Sequence, residues 1–172
     1  MLIRPEHPSD VAEIRALTLA AFADVPQSRQ TEGAVLDALR AGGALTISLV
    51  AVDDDGRLAG HVAVSPVAID PDPGPGWYGG GPLSVRPSRQ GDGVGTALVH
   101  AAFEEMRRRG ARGCVLVGEP AYYARFAFAP STSLVLPGVP AENLLVVALA
   151  GAVPSGVVTF HPAFAAGAPA AD

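Results

Sequence analysis

Two periodicities alternate along this chain. Apolar residues recur at Val11, Ile14, Leu17 and Leu19, and again at Val35, Leu36 and Leu39, the spacing of one helix face. Pro8 and Asp10 suit the first turn of the earlier helix, which fades near Phe22. The second is predicted from about Thr31 to Ala41, with Gly42-Gly43 as its stop. Apolar, β-branched runs predict strands at Leu2 to Arg4, Ala44 to Val52, Arg57 to Ile69 and Gly80 to Val85. Asp53-Asp54-Asp55-Gly56 reads as a solvated hairpin turn, and the prolines of Asp70 to Gly76 as a surface loop. The clearest helix has Val94, Ala97, Leu98, Ala101, Ala102 and Met106 as its stripe. Thr96, His100, Glu104 and Arg107 face the other way, and Gly110 ends it. Arg112 to Gly118 predicts a strand, Pro120 to Phe126 a short helix, and Leu144 to Ala150 and Val157 to Phe160 two late strands. Residues 165–172 read as a disordered tail, leaving one domain over residues 1–164 of α/β (α+β) class.

The segment Arg89-Gln90-Gly91-Asp92-Gly93-Val94-Gly95-Thr96 joins a strand to the clearest helix. The first turn of a helix has N–H donors without internal partners, and its dipole end is positive. A glycine-rich turn there brings such donors into one small space, a site for phosphate oxygens. A tight strand-to-helix connection needs the same glycines, so spacing alone leaves both readings open. A Walker loop is excluded, because the chain contains no lysine. A dinucleotide fingerprint needs its glycines near the start of a βαβ unit, whereas a long antiparallel-looking β region precedes these.

Composition narrows the partners. The chain has 172 residues, 49% hydrophobic and 17% charged, with a net charge of −5. That suits one core and argues against nucleic acid. Without lysine, Schiff-base chemistry is excluded. Cys114, the only cysteine, lies in an apolar run and reads as a buried, inert thiol. His7, His61, His100 and His161 lack metal-ligand spacing, so no metal is expected. No signal-peptide pattern and no apolar run of about 18 residues is visible, so a cytoplasmic protein without membrane contact is expected.

Three spaced segments carry a family resemblance. Gln90-x-x-Gly93-x-Gly95 resembles the acyl-CoA pyrophosphate loop of the GNAT superfamily of N-acetyltransferases. Gly118-Glu119-Pro120-Ala121-Tyr122-Tyr123-Ala124-Arg125-Phe126-Ala127-Phe128 resembles the G-D/E-P-x-Y-Y-x-R-F-G-F segment of a bacterial branch of that superfamily. Gly81 to Pro87 and the ending Gly156 to Phe164 are similar to the same branch. The order β-α-α-β-β-β, glycine loop, α-β-α-β is also the GNAT order. The fold implied is a mixed, mostly antiparallel central sheet flanked by helices. Two departures stand out. Ala127 occupies a usual glycine position, which costs roughly 1 kcal/mol if φ is positive there. Asp92 brings a charge that is expected to face solvent.

The resemblance implies an acetyl-CoA-dependent N-acetyltransferase acting on a primary amine by direct attack in a ternary complex. Arg89, Gln90, Gly91, Asp92, Gly93, Val94, Gly95 and Thr96 would hold the pyrophosphate. Leu83, Ser84 and Val85 would offer backbone to the pantetheine arm, and one of their N–H groups would face the thioester oxygen. Tyr123 is the candidate acid for the departing thiolate, while Tyr122 is expected to pack and to border the CoA site. Glu119 is the candidate base, with Glu32 and His61 as alternatives, or water in place of any of them. Arg89 and Arg125 are candidates for CoA phosphates or ordinary exposed arginines. The acceptor, expected to be a small molecule before a protein, would meet Phe22 to Gln30, Asp70 to Gly79 and the region near Tyr122, with Trp77 and Tyr78 available for contacts. A homodimer is compatible with this reading. The rivals are a non-catalytic acyl-CoA-binding sensor, an enzyme using a longer acyl donor and a purely structural protein.

Overall fold

A computed structural model describes residues 1–167. The chain opens with β1 (Leu2–Pro5), and a 3₁₀ turn at Pro8–Asp10 leads into α1 (Val11–Phe22). Asp10 fixes that entry. Its carboxylate accepts from both Arg4 Nη atoms, at 2.6 and 3.1 Å, and from the His7 N–H at 2.7 Å. The Arg4 bond, more than any other cause, pulls its pKa down to about 2. Then follow α2 (Glu32–Ala41), β2 (Ile47–Val52), β3 (Leu58–Asp70), β4 (Trp77–Val85) and α3 (Val94–Arg108). The chain continues with β5 (Gly113–Val117), α4 (Pro120–Tyr123), β6 (Ala129–Pro130), β7 (Leu134–Val135), β8 (Leu144–Ala148) and β9 (Gly156–Phe160).

The sheet runs β1-β2-β3-β4-β5-β8-β6, with β9 on the far end of β3 and β7 beside β9. Neighbours are antiparallel except β4 with β5 and β7 with β9. The expected mixed, mostly antiparallel sheet flanked by helices is therefore the one observed. Some strands depart from the sequence pattern. β4 starts at Trp77, three residues early, because glycines 79–81 disguise the strand. β6 and β7 are two residues long, too short to show a period.

Each face of the sheet has its own core. On one, Val94, Leu98 and Met106 of α3 pack against Ile47, Leu49, Val62, Val64 and Leu145. Val99 and Phe103 widen the predicted stripe. On the other, Ile14, Leu17 and Leu36 cover Val50, Leu58 and Ala63. Leu19, assigned to the α1 stripe by spacing, is 41% exposed, and Thr18 takes the buried position because its hydroxyl finds a partner in Ser84. Trp77 is buried against Val115, Val146 and Val158 and so is unavailable to an acceptor. Pro162–Ala165 form a 3₁₀ turn. Residues 168–172, most of the expected tail, lie outside the described residues. Among the described residues no helix is long and apolar enough to cross a membrane.

Candidate functional site

The site begins where β4 and β5 part. Their parallel pairing covers Trp77, Tyr78 and Gly79 against Gly113, Cys114 and Val115, and then stops. Beyond it β4 stays paired to β3, and β5 to β8, so two strand edges face each other across a gap. The β3–β4 register shifts between Val62 and Val64. Pro82, which has no N–H to lose, sits at that irregularity.

The ladder decides which backbone groups face the gap. Arg86 N–H donates to Ala59 O at 2.8 Å. Bonding alternates along an antiparallel pair, so Ser84 also turns its N–H and C=O toward β3, while Leu83 and Val85 turn theirs to the gap. The Ser84 side chain is fully buried on the α1 side, where its hydroxyl donates to Thr18 Oγ1 at 3.2 Å. Ser84 thus drops out of the expected backbone edge, for a reason of register. The outward Val85 carbonyl accepts from Gln90 Nε2 at 3.2 Å, which ties the glycine turn to the strand.

The turn itself has two kinds of glycine. Gly91 and Gly93 have φ of +88° and +82°, and an added Cβ on either would meet nothing within 4 Å. They are required by conformation and leave open space beside the backbone. Gly95 is helical, but a Cβ there would lie 2.6 Å from the Tyr122 hydroxyl. Ala97 N–H makes the first bond of α3, to Gly93 O at 3.0 Å. The N–H groups of Val94, Gly95 and Thr96 therefore have no helical acceptor and point to the turn.

Edge, turn and α4 meet in one cavity of about 380 Å³. Its walls include Leu83, Val85, Arg89, Gln90, Gly91, Gly93, Val94, Gly95, Thr96, Tyr122, Tyr123 and Arg125. Most of the residues singled out from sequence are thus brought together. Ala21, Phe22 and Val25, at and beyond the end of α1, close one side. Phe22 and Val25 lie in the Phe22 to Gln30 segment expected to meet the acceptor; Ala21 was not singled out.

Tyr123 stacks edge-on to Tyr122, with ring centroids 4.9 Å apart, and to Phe128 at 5.7 Å. Burial, with smaller contributions from Tyr122 and Cys114, pushes its phenol above the usual tyrosine range. Burial likewise pushes the Cys114 thiol up to about 12, which fits the inert role expected of it. Arg125 lies 4.7 Å over the Tyr122 ring and bonds the Tyr122 carbonyl at 2.9 Å, with no acidic partner among the described residues.

Other candidates fall outside this cavity or are otherwise engaged. Arg89 lines it, yet its guanidinium is held by Asp53 at 2.6 Å and Asp92 at 2.9 Å. Asp92 is exposed, as expected, but Asp53 is not the solvated turn residue the sequence suggested: Arg86 and Arg89 cover it. Glu119 is exposed and caps α4, accepting from Ala121 N–H at 3.5 Å. Glu32 is bonded by Ser28 Oγ at 2.7 Å. His61 is fully buried, with Nε2 2.7 Å from Ser48 Oγ, and burial lowers its pKa to about 4. Ser48 donates to Glu6, which Arg40 holds ionised, so His61 Nε2 carries the proton between His61 and Ser48. None of these three candidate bases lines the cavity.

Known proteins are similar to this chain in sequence and fold. The model of the acetyltransferase (GNAT) family matches residues 11–128. The "uncharacterized N-acetyltransferase YhbS" of Escherichia coli K12 is 37% identical over 128 residues, 74% of this chain and 73% of that one. A crystal structure of YhbS from E. coli in complex with CoA superposes with a TM-score of 0.85 at 34% identity, covering 95% of this chain and 91% of that one. A GNAT family acetyltransferase from Brucella melitensis, solved in complex with acetyl-CoA, gives 0.83 at 46% identity, covering 95% and 97%. The glycine turn, the open β4 edge and these matches lead to one conclusion: the chain belongs to the GNAT family of acetyltransferases.

Proposed function

We propose that this protein binds acetyl-CoA in the 380 Å³ cavity and transfers the acetyl group to a primary amine. The observation that carries this reading is the meeting of the glycine turn with the unpaired edge of β4 in that one cavity. The pyrophosphate takes the free N–H groups of Val94, Gly95 and Thr96, and Gly91 and Gly93 leave it room. The pantetheine arm adds to the β4 edge through Leu83 and Val85. Arg125, free of carboxylates and stacked on Tyr122, is the better phosphate partner; Arg89 already has two.

In the reaction the amine nitrogen attacks the thioester carbonyl, and a C–N bond forms as the C–S bond breaks. An outward N–H of Leu83 or Val85 stabilises the oxyanion. The electron pair leaves on sulfur, to which Tyr123 donates. An ordinary thiol near 8.5 would be a weaker base than this raised phenol requires. Solvent then returns a proton to the Tyr123 phenolate, which completes the step. The amine's proton goes to water, since Glu119, Glu32 and His61 lie outside the cavity. No group of three or more His, Cys, Asp and Glu among the described residues could hold a metal.

The test is an amine acceptor screen with acetyl-CoA that follows free CoA, beside calorimetry of acetyl-CoA binding. Binding with turnover supports the enzyme. Binding without turnover on any amine class favours a sensor. No binding removes the reading.

A further inference from the structure

Gly91 and Gly93 give the phosphate turn its room, and they also make it loose. Glycine has the widest choice of backbone conformation, so a turn rich in it is costly to order. Side chains restrain this one from outside. Gln90 Nε2 reaches back to the Val85 carbonyl at 3.2 Å. The Arg89 guanidinium donates to Asp92, within the turn, at 2.9 Å and meets Asp53 Oδ1 at 2.6 Å. Asp53 belongs to a different part of the chain, the hairpin between β2 and β3. That hairpin is itself fixed: Asp53 N–H donates to Arg57 O at 2.8 Å, and Gly56 N–H to Asp53 O at 3.0 Å. Asp53 Oδ2 also lies 3.5 Å from Arg86 Nη1, and Arg86 Nη2 donates to the Leu58 carbonyl. The Asp53 side chain is only 9% exposed and is absent from the cavity walls. A carboxylate set that deep between two guanidiniums holds both in a fixed geometry.

We infer that Asp53 is a positioning residue for acyl-CoA binding: acting through Arg89, it holds the glycine turn in the conformation that receives the pyrophosphate. The inference rests on the acyl-CoA reading above. The charge of Arg89 is already answered by two carboxylates, so the attraction for phosphate rests on the N–H groups of Val94, Gly95 and Thr96. Those groups converge on a phosphate only while the turn before them keeps its shape. A turn ordered in advance spares binding the cost of ordering it. Through Arg86 the same carboxylate is tied to the residue that follows β4, so the turn and the open strand edge keep their relative place. The hairpin thus serves a site that it does not touch.

Calorimetry with acetyl-CoA tests this on the wild-type chain, Asp53→Asn, Arg89→Gln, their double variant and Asp54→Asn, with melting curves to confirm folding. Asp53→Asn should weaken acetyl-CoA binding by about tenfold, the scale of one or two side chains that must be ordered on binding. Arg89→Gln should lose about as much, and the double variant little more than either, because both changes open one clamp. Asp54 is the control. It carries the same charge one residue on, is 96% exposed and pairs with the N-terminus at 2.9 Å, so Asp54→Asn should leave the affinity unchanged. In nitrogen–proton NMR spectra the Gly91 and Gly93 amide signals of free Asp53→Asn should leave their wild-type positions. Saturating acetyl-CoA should bring them back to those of the wild-type complex. A folded Asp53→Asn that binds acetyl-CoA as tightly as the wild type, or more tightly, would overturn the inference. So would losses that add in the double variant, an equal loss in Asp54→Asn, or glycine signals that do not move in the free variant. Should Asp53→Asn not fold, Arg89→Gln takes its place in the NMR comparison, with the same deciding result. Failure of the wild-type chain to bind acetyl-CoA would instead remove the underlying reading.

Discussion

The hydroxyl of Tyr122 reaches so close to Gly95 that a Cβ on that glycine would lie 2.6 Å away. Tyr122 belongs to α4 and Gly95 to the first turn of α3, so the contact bridges the two walls of the cavity. Arg125 lies over the same ring, 4.7 Å from its centroid. The last glycine of the turn is therefore constrained by an aromatic residue on a different element.

Gly95→Ala should weaken acetyl-CoA binding by roughly tenfold, the scale of a local overpacking of 1–3 kcal/mol. Adding Tyr122→Phe removes the clashing oxygen and should restore most of that loss. Calorimetry on the single and double variants measures both steps. A double variant no better than the first would place the role of Gly95 with the ligand alone.

Gly93 should behave differently, because its φ is +82° and its surroundings are open. Gly93→Asn should be tolerated far better than Gly93→Val, since Asn visits the left-handed region and a β-branched residue does not. We expect the valine variant to lose acetyl-CoA affinity by more than tenfold and to melt a few degrees lower, from backbone strain of roughly 1–2 kcal/mol. Equal losses for Asn and Val would point to the side chain's bulk in place of backbone conformation.

Tyr123→Phe should lower turnover by about 10²-fold with little change in acetyl-CoA affinity. Its raised pKa keeps the phenol protonated through the neutral range, so no loss of activity from its ionisation is expected there. Steady-state rates on the best acceptor, set beside calorimetric affinity, check the split. Wild-type turnover in the variant would leave the thiolate to depart unaided.

Burial of His61 gives stability a definite pH window. Its pKa falls from 6.5 unfolded to about 4 folded, so between these values the unfolded chain binds a proton that the folded chain refuses. Stability is full above pH 6.5 and falls as pH drops toward 4, by about 3 kcal/mol in all. Asp10 acts in a lower window, because its carboxylate is lowered from 3.8 to about 2 and its contribution disappears as pH falls through that range. Denaturant unfolding at pH 7, 5.5 and 4 measures the first window. His61→Gln should flatten it; an unchanged slope would assign it to other groups.

Ala127 adopts φ +65°, the left-handed conformation that the family pattern meets with glycine. Ala127→Gly should stabilise the fold by about 1 kcal/mol, visible as a rise in melting temperature. A neutral or negative result would mean that the flexibility glycine adds to the unfolded chain outweighs the relief of strain.

Much of this molecule could be read from residue order alone, because the features concerned are local. Periodicity follows from which face of an element meets the core, so α2, α3, β2 and the β5 strand were legible in the apolar positions. The glycine turn was legible because positive φ leaves its mark as glycine at 91 and 93, and the strain at Ala127 could be anticipated from the departure there. What the sequence could not decide depends on contacts between segments far apart. Thr18 displaced Leu19 from the α1 face because Ser84 lies opposite it, and Asp53 left solvent because Arg86 and Arg89 converge on it. Ser84 lost its place at the β4 edge, and Leu83 and Val85 kept theirs, through a ladder register fixed by β3. The reason for Gly95 and the burial of His61 arise in the same way. Side-chain chemistry is carried by the residue itself, but its partner, its exposure and the space in front of it are properties of packing.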